Sequence, residues 1–290
     1  MGISRRQFLM GATGAVAGAT CIWPRLAAAQ AGAKIRISAC DWSMRAVEPE
    51  GLEVAKKIGL DGLELSAGGP EDKLKIADPE YRKEYKAMMQ KTGVVVSSVA
   101  MGLLNNAPLA SEPRGVAWLN QTLEATKDLG GGVVLVAFFG KGDLRNGTEL
   151  KQKDIDTVVG RLKEVAPKAK EAGVFLGIEN TLSAAQNLAI LDRVKDDMVR
   201  VYYDIGNSTD NDYDVPAEMR LLGDRICQIH FKDGGHYLGE GDVKMEPVAE
   251  AIGVIHYKGW IVLETAIPSK DRDADFKRNA DYVRKLLKLA

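Results

Sequence analysis

Histidine, cysteine and any surplus of positive charge are scarce in this chain of 290 residues, which has 3 histidines, 3 cysteines and 39 Lys and Arg against 40 Asp and Glu. Each shortage excludes something. With no basic run or stripe, there is no electrostatic footprint for a nucleic-acid backbone, so nucleic acid is not expected as a partner. So few cysteines cannot build a disulfide framework. No apolar run spans a bilayer comfortably: the stretch from Met10 to Trp23 is too short and too rich in glycine. No glycine-rich phosphate loop follows the first apolar run, where the chain reads Ala39-Cys40-Asp41-Trp42-Ser43. That speaks against an open, doubly wound dinucleotide-binding sheet. Neither a linker nor a second domain is visible in the composition.

What is present begins with an address. Ser4-Arg5-Arg6-Gln7-Phe8-Leu9 is a twin-arginine signal, followed by a mildly apolar Gly/Ala stretch and by Ala27-Ala28-Ala29-Gln30-Ala31. The small residues allow cleavage after Ala29 or Ala31. Residues 1–31 are therefore expected to be a signal peptide and residues 32–290 the mature domain. A retained membrane anchor fits the short stretch poorly, and Thr20 makes Cys21 a poor lipid-attachment site. Arg5, Arg6 and Arg25 leave with the signal and no acid does, so 39 basic and 40 acidic side chains become 36 and 40, a mature net charge of −4. The Tat export machinery is the expected first partner, and the periplasm, or another exported location, the destination. No stable membrane association is expected after cleavage.

Beyond the signal one pattern repeats: a β-branched apolar run, a polar loop, a helical stretch, then glycine leading into the next run. The runs fall at 34–39, 62–65, 94–100, 133–138, 174–178, 199–203, 226–231 and 260–263. Helix candidates with 3.6-residue patterning lie between them, at 49–58, 79–91, 113–129, 153–172, 184–194, 216–222, 246–252 and 271–289. Gly59 and Gly173 read as left-handed helix stops followed at once by a strand. Near-continuous apolar runs alternating with helices indicate a parallel sheet buried on both faces. Eight such units predict a single-domain α/β fold, the (β/α)8 TIM barrel. Cys40 and Cys227 then fall on strands one and seven, which are not neighbours, so no disulfide is expected. The connection from Gly102 to Glu112 reads as an active-site loop.

Four consecutive runs end on a ligand-type side chain: Glu179, Asp204, His230 and Glu264. In a barrel, the C-terminal strand ends share one mouth and carry the chemistry. Three carboxylates converging there repel one another unless a cation neutralises them. Taken singly, each acid reads equally well as a cap or an ion-pair partner; together at one height they read as a metal site. The dominance of hard oxygen donors suits Mn2+ first, with Mg2+ or Co2+ next, better than structural Zn2+.

With Gly59-Leu60-Asp61-Gly62-Leu63-Glu64-Leu65 at one end and Leu263-Glu264 at the other, the mature chain resembles the sugar phosphate isomerase/epimerase family of xylose-isomerase-like TIM barrels. The resemblance implies that Glu179, Asp204, His230 and Glu264 hold one divalent metal ion, and that Glu179 and Glu264 double as catalytic acid and base. It implies a homodimer or homotetramer. Two departures stand out. Ketose 3-epimerases of the family carry a histidine three residues after the strand-six aspartate, where this chain has Asn207. Their later substrate arginine has no counterpart here, and His236 lies in that loop instead. Asn207, His236, Glu64, Trp42 and Lys232 are the candidates for substrate binding, Trp42 by stacking on a sugar face and Glu64 as a polar wall. Asp233 is placed to orient His230 or touch substrate. His256 falls before strand eight, at the far end of the barrel.

The chemistry expected of this set is proton transfer beside a carbonyl, with a metal stabilising the enediolate. Removal and return of the proton on opposite faces epimerises a sugar; return to the adjacent carbon isomerises it; loss of a β-substituent makes the protein a lyase or hydratase, for instance of 3-keto-glycosides or keto-inositols. A three-zinc DNA-repair barrel on the same scaffold needs further histidines that are absent. A non-catalytic exported sugar- or metal-binding protein has no need of two opposed glutamates. Outside the cytoplasm phosphorylated sugars are scarce, so the expected substrate is a free sugar or an oxidised derivative.

Overall fold

Eight strands close on themselves in a computed structural model that describes residues 34–289. The expected signal region, 1–31, lies outside the described residues. In chain order the barrel strands are β1 (Arg36–Cys40), β2 (Gly62–Ser66), β3 (Val95–Ala100), β4 (Val133–Ala137), β5 (Phe175–Glu179), β6 (Val199–Asp204), β7 (Ile226–Phe231) and β8 (Trp260–Leu263). Each pairs in parallel with its sequence neighbours, and β1 pairs with both β2 and β8, which leaves no open edge. Every residue of β4, β5, β7 and β8 is buried, because side chains pack inward against the barrel axis and outward against helices.

The covering helices are α1 (Gly51–Ile58), α2 (Pro79–Thr92), α3 (Gly115–Asp128), α4 (Gln152–Ala172), α5 (Ala184–Val194), α7 (Val215–Leu222), α8 (Met245–Val254) and α9 (Arg272–Leu286). A one-turn-and-a-half helix, α6 (Ile205–Asp210), follows β6 directly. Local signals set their ends. Asp78 accepts from Glu80 N–H with Pro79 in the first turn of α2, and Ser183 and Gln186 form a reciprocal capping box on α5. Gly59 and Gly173 close α1 and α4 at φ 87° and 71°, where a side chain would be strained.

The expected strand and helix ranges agree with these to within a few residues at each end. α6 and a two-residue hairpin (Arg145–Asn146 with Glu149–Leu150) do not follow from periodicity. Both are too short to show a period, and α6 depends on the cap that Asp204 provides. Cys40 and Cys227 are buried free thiols.

Two irregularities in the barrel register bear on the site. β3 carries one extra residue, Ser97, so that Ser98 rather than Ser97 stands opposite Glu64 of β2. β7 carries another, Cys227, so that Gln228 stands opposite Tyr202 of β6. Such slips re-aim the side chains that follow them. The barrel depends on filled layers around these strands, so Ile229→Ala in fully buried β7 is expected to cost about 2–5 kcal/mol, read as a lower urea midpoint with the slope unchanged.

Candidate metal centre

The strand ends bring the four ligand-type side chains to one mouth of the barrel. Asp204 and His230 are direct partners across β6 and β7, Glu179 pairs with Ala137 at the end of β5, and Glu264 follows β8 with its N–H on Phe231 O at 3.0 Å. Their donor atoms converge. His230 Nδ1 lies 3.1 Å from Glu179 Oε1 and 3.7 Å from both Asp204 Oδ2 and Glu264 Oε2. One atom from each residue falls within 4.8 Å of all the others, the compactness that a single divalent cation requires.

The carboxylates are held from behind. Asn207 N–H donates to Asp204 Oδ1 at 2.8 Å, and Trp42 Nε1–H donates to Glu264 Oε1 at 3.0 Å. Each bond occupies the outer oxygen and leaves Asp204 Oδ2 and Glu264 Oε2 facing the cluster. Asp204 Oδ2 is buried with no hydrogen bond of good geometry, an orphan acceptor of the kind a cation satisfies. Lys232 Nζ supplies charge at 2.9 Å from that oxygen and 2.7 Å from Glu264 Oε2. Its stem crosses the start of α6 over Gly206, where any Cβ would collide with it. Three oxygens and one imidazole nitrogen fit a hard divalent cation held by Glu179, Asp204, His230 and Glu264.

Burial and charge pull the acids apart. Burial pushes Glu179 up to about 7, only partly offset by His230. Burial opposes ionisation of Asp204 as well, but Lys232, His230 and the Asn207 N–H hold its carboxyl below the usual range. For Lys232 burial works against the charge, and Asp204 and Glu264 more than restore it. His230 is likewise penalised by burial yet raised well above the ordinary imidazole by Tyr202, Cys40, Glu179 and Glu64 around it.

Above the cluster opens a cleft of about 320 Å³. Glu179 and Glu264 line it, with Trp42, Leu103, Asn105 and Phe139. Small residues of the β2, β3 and β4 ends, such as Ala67, Ala100 and Ala137, set its far wall back. Asp204 and His230 lie beneath, with side chains 1% and 0% exposed. A larger cavity at the other end of the barrel is lined by Ile35, His256 and Tyr257 and includes none of the four converging residues.

The sequence-predicted substrate residues separate into two groups. Trp42 faces the cleft and also steadies Glu264. Lys232 spends its ammonium on Asp204 and Glu264, beside the cluster rather than out in the cleft. Asn207 reaches the centre through its backbone, and His236 is exposed on the loop beyond β7; neither is among the residues that line the cleft. Glu64 is placed differently from a polar wall. It is fully buried below the cluster, 2.7 Å from His230 Nε2, because its β2 position points into the barrel one layer down. Asp233 turns away from the centre and accepts the N–H groups of Gly239, Gly241 and Val243, each at 2.9 Å, which shapes the loop after β7. The connection from Gly102 to Glu112, read from the sequence as an active-site loop, does supply Leu103 and Asn105 to the cleft, while sequence reasoning missed Phe139. It also missed Ser98, Tyr202 and Gln228, whose meeting depends on the two register slips.

Residues 52–286 match the family described as Xylose isomerase-like TIM barrel. The chain belongs to that family. This xylose isomerase-like barrel is 27% identical over 256 residues to the L-ribulose-5-phosphate 3-epimerase UlaE of Escherichia coli (strain SMS-3-5 / SECEC), across 81% of this chain and 88% of that one. Among solved structures it superposes on an L-ribulose 3-epimerase with a TM-score of 0.72 at 23% identity, covering 88% of this chain and 95% of the other. The 3-keto-D-glucoside 4-epimerase YcjR from E. coli gives 0.71 at 17% identity, covering 87% and 100%. At these identities the two structures show a shared fold.

Ligands must shed protons to take a metal. Glu179, pushed up to about 7, and His230, raised from its usual range, both hold protons at low pH. Affinity for Mn2+ is therefore expected to fall as pH falls below about 7, by about tenfold per unit for each proton displaced, in titration calorimetry repeated in buffers of different ionisation enthalpy.

Proposed function

We propose that this protein is a divalent-metal-dependent sugar isomerase/epimerase that moves a proton on a carbon beside a carbonyl, in a free sugar or an oxidised sugar derivative. One observation carries the reading: of the four converging side chains, the two glutamates line the cleft while Asp204 and His230 lie below it. The name of the 27% identical relative, a ribulose-phosphate 3-epimerase, supports the same reaction class. A bound cation, Mn2+ by preference, supplies Lewis acidity to a substrate carbonyl and its neighbouring hydroxyl.

The chain's own residues do the rest. Glu179, ionised when it holds the cation and open to the cleft, is placed to exchange a proton with substrate. Glu264, its outer oxygen held by Trp42 and its inner one by Lys232, presents a second carboxylate across the cleft. One removes the proton and the other returns it. Return on the opposite face gives epimerisation, and return to the adjacent carbon gives isomerisation. Trp42 and Phe139 offer apolar ring faces to the sugar carbons.

No Lys or Arg is among the described residues that line the cleft, which supports a substrate without a phosphate. That reading differs from the name of the ribulose-phosphate relative. A second reading, a lyase or hydratase of 3-keto-glycosides, draws on the apolar wall of Leu103, Leu135 and Phe139, which suits an aglycone. Working outside the cytoplasm follows from the twin-arginine motif, and folding before export would let the barrel load its metal first.

Incubating the mature protein with Mn2+ and a panel of ketoses and keto-glycosides in D2O is expected to place deuterium beside the carbonyl of one of them; sugars that bind without exchange would sink the enzyme reading. Glu179→Gln and Glu264→Gln are each expected to lower kcat by about 10²–10⁴ at saturating Mn2+. Changing Arg5 and Arg6 together to lysine is expected to leave uncleaved precursor in the cytoplasmic fraction.

A further inference from the structure

Below the four converging residues lies a second polar layer that the proposed proton transfer does not use. It is built of Glu64, Ser98, Tyr202, Gln228 and Cys40, all with essentially no exposure. Most of its bonds run in one direction, while the contacts of Ser98 Oγ with Ser97 Oγ at 3.3 Å and of Cys40 Sγ with His230 Nε2 at 3.4 Å can run either way. The Gln228 side-chain amide donates to Ser98 Oγ at 2.7 Å and to Tyr202 Oη at 3.0 Å. Having accepted from Gln228, both hydroxyls keep their hydrogens for Glu64 Oε1, at 2.8 and 3.1 Å. Cys40 Sγ–H reaches Glu64 Oε2 at 3.4 Å. Glu64 thus sits at the accepting end of every chain that reaches it, and its one remaining neighbour is His230 Nε2 at 2.7 Å.

We propose that Glu64 is the positioning residue of the metal centre: it takes the Nε2–H of His230 and so leaves the Nδ1 lone pair facing Glu179, Asp204 and Glu264. The inference rests on the metal reading of those four residues. A neutral imidazole has one donor and one acceptor nitrogen, and the bond made by one decides what the other can do. A carboxylate behind a metal-bound histidine is a recurring arrangement that fixes both tautomer and ring orientation. The ring has little freedom otherwise, with the Tyr202 ring tilted against it at 4.5 Å between centroids.

Cys40, Glu64 and His230 are also close enough to suggest a metal set of their own. The 2.7 Å between Glu64 Oε2 and His230 Nε2 is a hydrogen-bond length. Two ligands about 2.1 Å from a tetrahedral cation sit farther apart than that, so this layer is read as support and not as a second centre. Both register slips serve it: the extra residues in β3 and β7 bring Ser98 and Gln228 to face Glu64 and Tyr202.

The test uses the mature protein with 15N-labelled histidine, loaded with 113Cd2+ as a spin-active stand-in for the cation. Of the 3 histidines in the chain, His230 alone is expected to couple to cadmium, through Nδ1, with a slowly exchanging proton kept on Nε2. Coupling through Nε2 would overturn the proposal and leave the metal site standing. If wild type binds neither Cd2+ nor Mn2+, the metal reading itself fails and the proposal falls with it. Glu64→Gln, checked for folding by circular dichroism, is expected to weaken Mn2+ binding by about 10–100-fold. A folded variant with wild-type affinity would overturn the proposal. Should the variant not fold, the wild-type coupling pattern decides alone.

Discussion

Buried like charge governs this molecule. Glu179, Asp204 and Glu264 bring three carboxylates to within a few ångströms of His230 Nδ1 at the mouth of the barrel, where burial of most of their surface weakens screening by solvent. The nearby features answer that repulsion in different ways. Lys232 lies across two of the acids, Asn207 and Trp42 hold their outer oxygens, and burial keeps Glu179 close to neutrality. A cation with several oxygen ligands would complete that answer, among the oxygens that converge on His230 Nδ1.

The barrel makes this arrangement affordable by dividing it into layers. The upper layer meets the cleft through two glutamates. The middle layer, Asp204 and His230, is closed to solvent. The lower layer, from Gln228 through two hydroxyls to Glu64, orients the imidazole above it. A side chain two residues earlier on a strand points the same way, one layer down. That is how Gln228 and His230 on β7, or Tyr202 and Asp204 on β6, share the work of support and ligation. It also explains why the β2 glutamate sits under the histidine while the β8 glutamate borders the cleft.

The cleft separates two demands. Its charged groups are the two glutamates, and the rest of its lining is largely small or apolar, with Ala67, Ala100, Leu103, Ala137 and Phe139. The loops after β1, β3 and β4 thus supply Trp42, Leu103, Asn105 and Phe139 to the cleft without entering the cluster beneath it. The loop after β7, which the sequence made a prime candidate, is instead tied down by Asp233 and by the pairing of Tyr237 with Asp275.

Much was legible without coordinates because it depends on local or periodic physics. Apolar runs alternating with helical stretches, glycine stops such as Gly59 and Gly173, and ligand-type residues at four run ends all lie in the chain itself. Parallel pairing then brings the C-terminal run ends to one mouth of the barrel, which is why Glu179, Asp204, His230 and Glu264 could be grouped in advance. What no pattern shows is a one-residue slip between strands. The slips at Ser97 and Cys227 reverse which neighbour faces Glu64 and Tyr202, and side-chain directions such as those of Lys232 and Asp233 depend on what space the neighbouring elements leave. The sequence by itself determined the barrel and which four strand-end side chains meet at its mouth. Only the tertiary structure decided that Glu64 supports the histidine and that Phe139 borders the cleft, because both follow from packing between strands distant in sequence.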